Sequence, residues 1–459
     1  MASHTDVLVV GGGPAGMGAA VGAAQAGADV VLVERLGFLG GNATASLVMP
    51  LMSFHTQHHV HEKAGKSTYI LPNDHGPGDP VIGGALLTFL EKLIEAGGAI
   101  PPSLKTGFVV PFDPEMFKMV ALQLMDEYGV RMLFHAFASG IFTEKDRHGV
   151  VLETKSGPVV LTADKIVDCT GDGDIAVSAG AGYDVGRAED GLVQPMTLMF
   201  RMADFHKTAF DTYVRAHPGQ WRGVHGLWDL IKYASDHGEL DLPREDLLFF
   251  ATPHKHELSV NSTRITKVLG TDVYDLSFAE WEGRRQVRQI AAFFRKYVPG
   301  FEASYVVQTG VNVGVRETRR IKGDYTLTEE DVMHAHKFED VIGRCSYPID
   351  VHNPTGKGTV LRRLPPGEAY DIPLRSLLPA GLDHILVAGR CISGTHEAHS
   401  SYRVMPTCMA TGQAAGVCAA IASGKRITTR VVEAEDVQKE LIRQGANLGV
   451  RSFSGSFAR

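Results

Sequence analysis

Near the C-terminus, His396-Glu-Ala-His399-Ser-Ser-Tyr-Arg403 puts two imidazoles and a guanidinium within eight residues. An imidazole shuttles a proton near neutral pH, and a guanidinium holds a carboxylate or a developing oxyanion. His396, His399 and Arg403 are therefore candidate catalytic residues, set against the plainer reading in which the imidazoles only order their loop or hydrogen-bond a bound group. Arg316-Glu-Thr-Arg319-Arg320 is a second polar cluster. Arg316 is a further candidate for substrate contact, although such a run also suits a salt-bridged surface or a hinge. His55-Thr-Gln-His58-His59-Val-His61 offers imidazoles of the metal-binding kind, but its spacing gives no helical His pair that an acid completes. A polar flap without a metal is the expectation there, continued by the loop-forming stretch from Pro72 to Pro80. The five cysteines, Cys169, Cys345, Cys391, Cys408 and Cys418, are widely and irregularly spaced. That pattern argues against a disulfide framework, a zinc ribbon, an iron–sulfur cluster and a redox-active dithiol.

The elements that must position such groups are clearest at the N-terminus. Asp6-Val-Leu-Val-Val10 reads as a strand and runs into Gly11-Gly-Gly13-Pro14-Ala15-Gly16, followed by a helical run from Met17 to Ala26 and a stop at Gly27. A second strand from Ala28 to Val33 ends on Glu34. Strand, G-x-G-x-x-G, helix, strand and terminal acid make a complete βαβ dinucleotide fingerprint. Gly11 allows the tight turn, Gly13 lets backbone N–H groups approach a pyrophosphate, and Gly16 permits close packing of helix on strand. Glu34 is placed to accept hydrogen bonds from a ribose diol. The fingerprint alone does not separate NAD from FAD. Arg35-Leu-Gly-Phe-Leu-Gly40-Gly41-Asn42-Ala43-Thr44 then supplies a second glycine-bearing loop that can close on a long dinucleotide.

From this loop onward the chain resembles FAD-dependent oxidoreductases with a G-G-N-A-T loop, a branch of the glutathione-reductase-like and fumarate-reductase-like flavoproteins. The resemblance is carried in order by Gly40-Gly-Asn-Ala-Thr44, Phe112-Asp-Pro-Glu-Met-Phe-Lys118, Asp168-Cys-Thr-Gly-Asp-Gly-Asp174, Gly314-Val-Arg-Glu-Thr-Arg-Arg320, Ala388-Gly-Arg-Cys-Ile-Ser393 and Gly412-Gln-Ala-Ala-Gly416. It implies FAD as cofactor and an FAD-binding domain assembled from separated segments around an inserted substrate domain. Physical reading agrees. Thr170, Gly171 and Asp172 follow a buried-looking strand in a turn of small residues, and Gly389 and Arg390 follow another. Met405, Pro406 and Thr407 open a small-residue helix whose positive end suits the pyrimidine edge of a flavin.

The expected fold is α/β, a Rossmann-type FAD-binding domain with a parallel sheet and an inserted mixed α+β substrate domain. Residues 1–200 and 340–430 would form the first, 200–340 the second, and 430–459 a C-terminal helix and tail. With 44% hydrophobic residues and a formal net charge of -7, the chain has no basic field for nucleic acid. No run of eighteen apolar residues suggests a membrane span, and no leader precedes the first strand, so a cytoplasmic protein is expected. Its partner would be a small-molecule substrate, with homo-oligomerisation left open. The expected function is hydride transfer between flavin and a small organic substrate. Two alternatives stand beside it: an electron-transfer subunit serving a partner protein, and a fumarate-reductase-like reductase of a C=C bond.

Overall fold

The computed structural model describes residues 4–57, 70–71, 78–144 and 147–449. His58, His59, His61 and most of the stretch after Pro72 lie outside the described residues.

Strand β1 (His4–Val10), helix α1 (Pro14–Gln25) and strand β2 (Val30–Val33) form the N-terminal βαβ unit. Helix α1 begins three residues earlier than its apolar run suggests, because Pro14, with its fixed φ and missing N–H, starts the first turn. The unit nucleates a mixed sheet with β3 (Arg131–Leu133), β4 (Ala136–Glu144), β5 (Arg147–Thr154) and β6 (Gly157–Asp168), in the order β3-β2-β1-β6-β5-β4. Strands β3, β2, β1 and β6 are parallel, and Ile385–Val387 returns late in the chain to pair parallel with the end of β6. Val10 pairs with Val33 and with Asp168, and Asp168 pairs with Val387. Four parallel strands thus end at one level, and the loops leaving them share one edge of the sheet. This is the Rossmann-type arrangement, in which ligands sit outside the carboxyl ends of the strands.

A second sheet is wholly antiparallel. It comprises β7 (Phe200–Ala203), β8 (Trp221–Arg222), β9 (His225–Gly226), β10 (Leu247–Ala251), β11 (Leu258–Val260) and β12 (Tyr305–Thr309), ordered β12-β7-β11-β10-β9-β8. Helix α2 (Val273–Tyr297) packs on it, with Val287, Ile290 and Phe294 sharing a core with Phe200, Phe249 and Val260. A hairpin of β13 (Ile349–His352) and β14 (Thr359–Arg362) follows.

The segment from His396 to Arg403, expected as a loop, is instead helix α3 (His396–Tyr402), started by Thr395, whose side chain accepts from the Ala398 N–H. It bends by 93° into α4 (Met405–Lys425). Helix α4 crosses α1 at backbone contact distance. A Cβ on Gly412 would lie 1.9 Å from the Ala15 carbonyl oxygen, and one on Gly18 would lie 2.1 Å from that of Met409. The apolar length of α4 therefore serves the core; among the described residues no single helix is long and apolar enough to cross a membrane. The C-terminal helix α5 (Ala434–Arg443) stops before Gly445, whose φ is +80°.

Candidate active site

The loops at the carboxyl ends of the parallel strands enclose a cavity of about 590 Å³. Gly11 sits there with φ +100°, and a Cβ would meet the Cys169 carbonyl oxygen at 2.4 Å, so the turn admits only glycine. Gly16 serves packing alone, since its Cβ would fall 1.7 Å from the Gly11 carbonyl oxygen. Gly13 differs. Its Cβ would find only the Gly41 Cα, at 3.7 Å, so the room it leaves belongs to the cavity. Gly13 and Gly41 together give that wall a bare backbone surface, as close approach to a pyrophosphate requires. The carboxylate of Glu34 accepts from the N–H of Gly12 at 2.7 Å and from that of Leu36 at 2.8 Å. Two backbone donors fix its position at the cavity wall, with lone pairs left for a ribose diol.

Further along the same cavity, Thr170 and Gly171 line the turn after β6. Asp168 organises that turn, accepting from Thr170 and from the N–H groups of Ile175 and Ala176. Asp172 meets Arg390 at 3.3 Å and accepts from the Thr318 hydroxyl at 2.7 Å. At the far end stands the first turn of α4, which has no side-chain cap; Met405 lines the cavity, while Thr407 Oγ1 is buried with no partner, as is Arg390 Nη1. An uncapped helix N-terminus offers positive potential to a group with developing negative charge. Glycine floor, fixed acid, and uncapped helix in one cavity fit a long dinucleotide bearing a flavin.

Gly11, Gly13, Pro14, Ala15, Glu34, Arg35, Gly41 and Asn42 line this cavity, together with Thr170, Gly171, Asp172, Gly389 and Arg390. Gly40, Ala43 and Thr44 do not. They shape the loop from behind: Gly40 has φ +109°, and Thr44 Oγ1 donates to the Leu39 carbonyl.

A second cavity, about 560 Å³, adjoins the first. Asn42, Val315, Arg390, Arg403 and Met405 line both. Arg316 and Pro406 line the second. The Arg316 run is not a salt-bridged surface. Glu317 is fully buried and accepts from the Gln194 N–H, with Arg320 and His396 on its other oxygen, which anchors the segment. Arg316 Nη1 donates to the Pro195 carbonyl and to Thr197 Oγ1. Burial and the nearby charges of Arg403 and Arg264 depress its guanidinium pKa.

His396 and His399 line neither cavity. Both rings are buried, His396 Nδ1 lying 2.9 Å from Glu317 and His399 packing edge-on against Tyr402. Burial, reinforced by the charges of Arg320 and Arg403, keeps His399 neutral. His55, from the histidine-rich segment, is also buried, and burial pushes it down to about 4. Among the described residues no group of three or more His, Cys, Asp or Glu is placed to hold a metal.

Titratable groups that sequence reasoning missed line the second cavity. Asp350 and His352 alternate on β13 and so face the same way. His352 Nε2 lies 3.4 Å from Asp350 Oδ2, and the Tyr347 hydroxyl donates to the same oxygen at 2.8 Å. Burial brings His352 down to about 4, against the opposing pull of Asp350, so its ring is neutral at physiological pH. Burial would raise Asp350, yet its contacts with His352, Arg403 and Tyr347 outweigh it and hold the carboxyl below its ordinary range. The Asp-x-His spacing on a short strand was the only available signal, and it is a common one.

No curated protein sequence matches the chain. Among solved structures it is similar to a geranylgeranyl bacteriochlorophyll reductase-like protein from Thermoplasma acidophilum, at 13% identity and TM-score 0.42, covering 96% of this chain and 82% of that one. A p-nitrophenol 4-monooxygenase from Pseudomonas putida gives 12%, 0.45, and coverage of 96% and 84%. A halogenase gives 12%, 0.46, and coverage of 96% and 72%. The model of the FAD dependent oxidoreductase family matches residues 6–441, nearly the whole chain. This protein belongs to the FAD dependent oxidoreductase family, is an enzyme, and has FAD as its cofactor.

Proposed function

We propose that the enzyme transfers a hydride between FAD, held in the first cavity, and a small organic molecule held in the second. The supporting observation is the wall common to both cavities, formed by Asn42, Val315, Arg390, Arg403 and Met405. A ring at that wall would touch both spaces. In this reading residues 1–200 and 340–430 bind FAD, and residues 200–340 close over the substrate.

FAD, when bound, supplies the acceptor or donor of the electron pair. The chain's own residues do the rest. Gly11, Gly13, Glu34 and Arg35 hold the adenosine and pyrophosphate end, and Asn42, Arg390 and Met405 position the flavin end. Arg316 and Arg403 orient the substrate from opposite segments of the chain. The neutral His352 takes or returns the substrate's proton at Nδ1, which in the free site lies 3.4 Å from Arg264 Nη2 and 3.3 Å from Thr359 Oγ1, and ionised Asp350, beside Nε2, stabilises the imidazolium that forms. His396 acts as a positioning residue, since its bond to Glu317 ties α3 to the segment carrying Arg316.

The test is an anaerobic titration of purified holoprotein with hydroxy and amino compounds, and of its reduced form with enoates, followed by flavin absorbance. Bleaching by one compound class supports hydride transfer and names the donor. Reoxidation by enoates alone would recast the enzyme as a C=C reductase. A flavin inert to every small molecule but reduced by a protein donor would overturn the reading in favour of electron transfer.

A further inference from the structure

Charge in the second cavity does not balance. Arg244 lies 3.1 Å from Asp246, and Arg403 lies 3.5 Å from Asp350, while Arg390 at the shared wall lies 3.3 Å from Asp172. Within 4.0 Å each of these acids meets one arginine, Asp350 acting on Arg264 and Arg316, and Asp246 on Arg264, only from further away, and Asp246 also faces His225 Nδ1 at 2.8 Å. Glu245 is largely exposed and pairs outward with Lys357 at 3.8 Å. Arg264 and Arg316 remain. Among the described residues neither has a carboxylate within 4.0 Å; Arg264 Nη1 donates to the carbonyls of Gly356 and Gly358, and Arg316 Nη1 to the Pro195 carbonyl and the Thr197 hydroxyl. His352 Nδ1, 3.4 Å from Arg264 Nη2, is one more neutral contact and no counter-charge.

Two guanidinium groups held in a protein-lined space by neutral acceptors only are costly unless an anion joins them. Direct attraction to a ligand is also stronger there than at the surface, because little water screens it. Other polar atoms at the same cavity are unsatisfied: Arg244 Nε, Arg403 Nε and Asn261 Oδ1 are buried with no partner. Much of the remaining lining is apolar, with Met49, Met52, Met199, Leu248 and Phe250 among it, beside a few polar groups such as Thr197 and Thr359. A volume of about 560 Å³ has room for a charged group and a carbon body together.

We infer that the second cavity takes an organic anion, an apolar body bearing a carboxylate, sulfonate or phosphate that Arg264 and Arg316 bind. The inference rests on the reading that this cavity is the substrate site. Anion and apolar body are then recognised by different walls: the arginines reach the charge, and the methionines with Phe250 cover the rest. A fork of guanidinium N–H groups also fixes orientation, so the anionic end sets which carbon faces the shared wall.

The experiment is calorimetric titration of the holoprotein, with flavin difference spectra, using matched sets on hexyl and 4-phenylbutyl bodies: carboxylate, sulfonate, phosphate, amide and amine. For at least one body an anion should bind at least about tenfold tighter than its amide. R264Q and R316Q should each weaken that anion about tenfold and leave the amide within about twofold. Should R316Q lose FAD or its cooperative unfolding, R316K, which keeps the charge, should retain most of the preference. The order among the three anions identifies the headgroup. The inference is overturned if amides or amines bind as well as every anion, if no anion binds at millimolar concentration, or if the preference survives in the R264Q/R316Q double variant. Failure here is separable from failure of the hydride reading. Flavin reduction by a compound of a class that binds no better as an anion than as an amide would leave the reading standing and remove the inference, whereas a protein without FAD would remove the reading while the anion titration still decides the cavity's charge preference.

Discussion

The two cavities that meet at Asn42, Arg390 and Met405 are built in opposite ways. The first is made of backbone. Its floor is Gly11, Gly13 and Gly41, its fixed point is a carboxylate tied down by two N–H groups, and its far end is the uncapped first turn of α4. The second is made of side chains drawn from residues 42–52, from the stretch between Thr197 and Leu361, and from Arg390 and the α3–α4 junction, with arginines, two Asp–His pairs and an apolar wall. A backbone site tolerates almost no substitution at its glycines and binds one constant ligand; a side-chain site can change its chemistry residue by residue on the same frame. In the proposed function, cofactor and substrate divide along that line.

Single substitutions at the two sites should have different consequences. His352→Gln, at the centre of the side-chain site, should slow turnover about 100-fold or more while leaving FAD content unchanged. Loss of FAD in that variant would mean the two sites are not separable. Gly412→Ala, in the frame behind the backbone site, drives a methyl group into the Ala15 carbonyl. It should cost about 3 kcal/mol, read as a lower denaturation midpoint, and release FAD.

The pH dependence of stability isolates His352 from another direction. Its folded pKa, about 4, lies below the unfolded value of 6.5, so the unfolded chain binds the proton first. Stability from this group is complete above pH 6.5 and is lost as pH falls through about 4, on the order of 1–3 kcal/mol in all. Turnover should stay flat across the 6–8 range, and the stability slope between pH 6.5 and 4 should shrink in H352Q. The smallest effect is the most discriminating. Gly13→Ala places its methyl group in open space in the protein alone, so apoprotein stability should be unchanged while FAD affinity falls about tenfold. Equal losses in both would make Gly13 a packing glycine like Gly16.

What could be read from the chain follows the same division. The βαβ fingerprint at Gly11–Glu34 is legible because each glycine answers a local steric demand, and local demands leave fixed spacing. The turn at Thr170–Asp172 and the Gly389-Arg390 turn are legible for the same reason. Arg316 was harder: a run of Arg, Glu and Thr suits a surface, and only the packing of Glu317 against Gln194, Arg320 and His396 turns it inward. His396 and His399 drew attention as neighbours in sequence, but α3 buries both rings away from the cavities. The short, polar look of that segment suggested a loop, since a single Thr395 cap is weak evidence against a Ser-Ser-Tyr run. Asp350, His352 and Arg264 stayed invisible because contacts across about 90 residues of chain, such as Arg264 with the Gly356–Gly358 turn, leave no spacing to recognise.

The most direct test of the central claim is a crystal structure of the FAD-loaded enzyme. The adenosine end is expected beside Glu34, the pyrophosphate over Gly13, and the flavin ring at the wall of Asn42, Val315, Arg390, Arg403 and Met405, open to the arginine-lined cavity. A flavin ring lying elsewhere, with that wall bare and the second cavity cut off from it, would contradict the account.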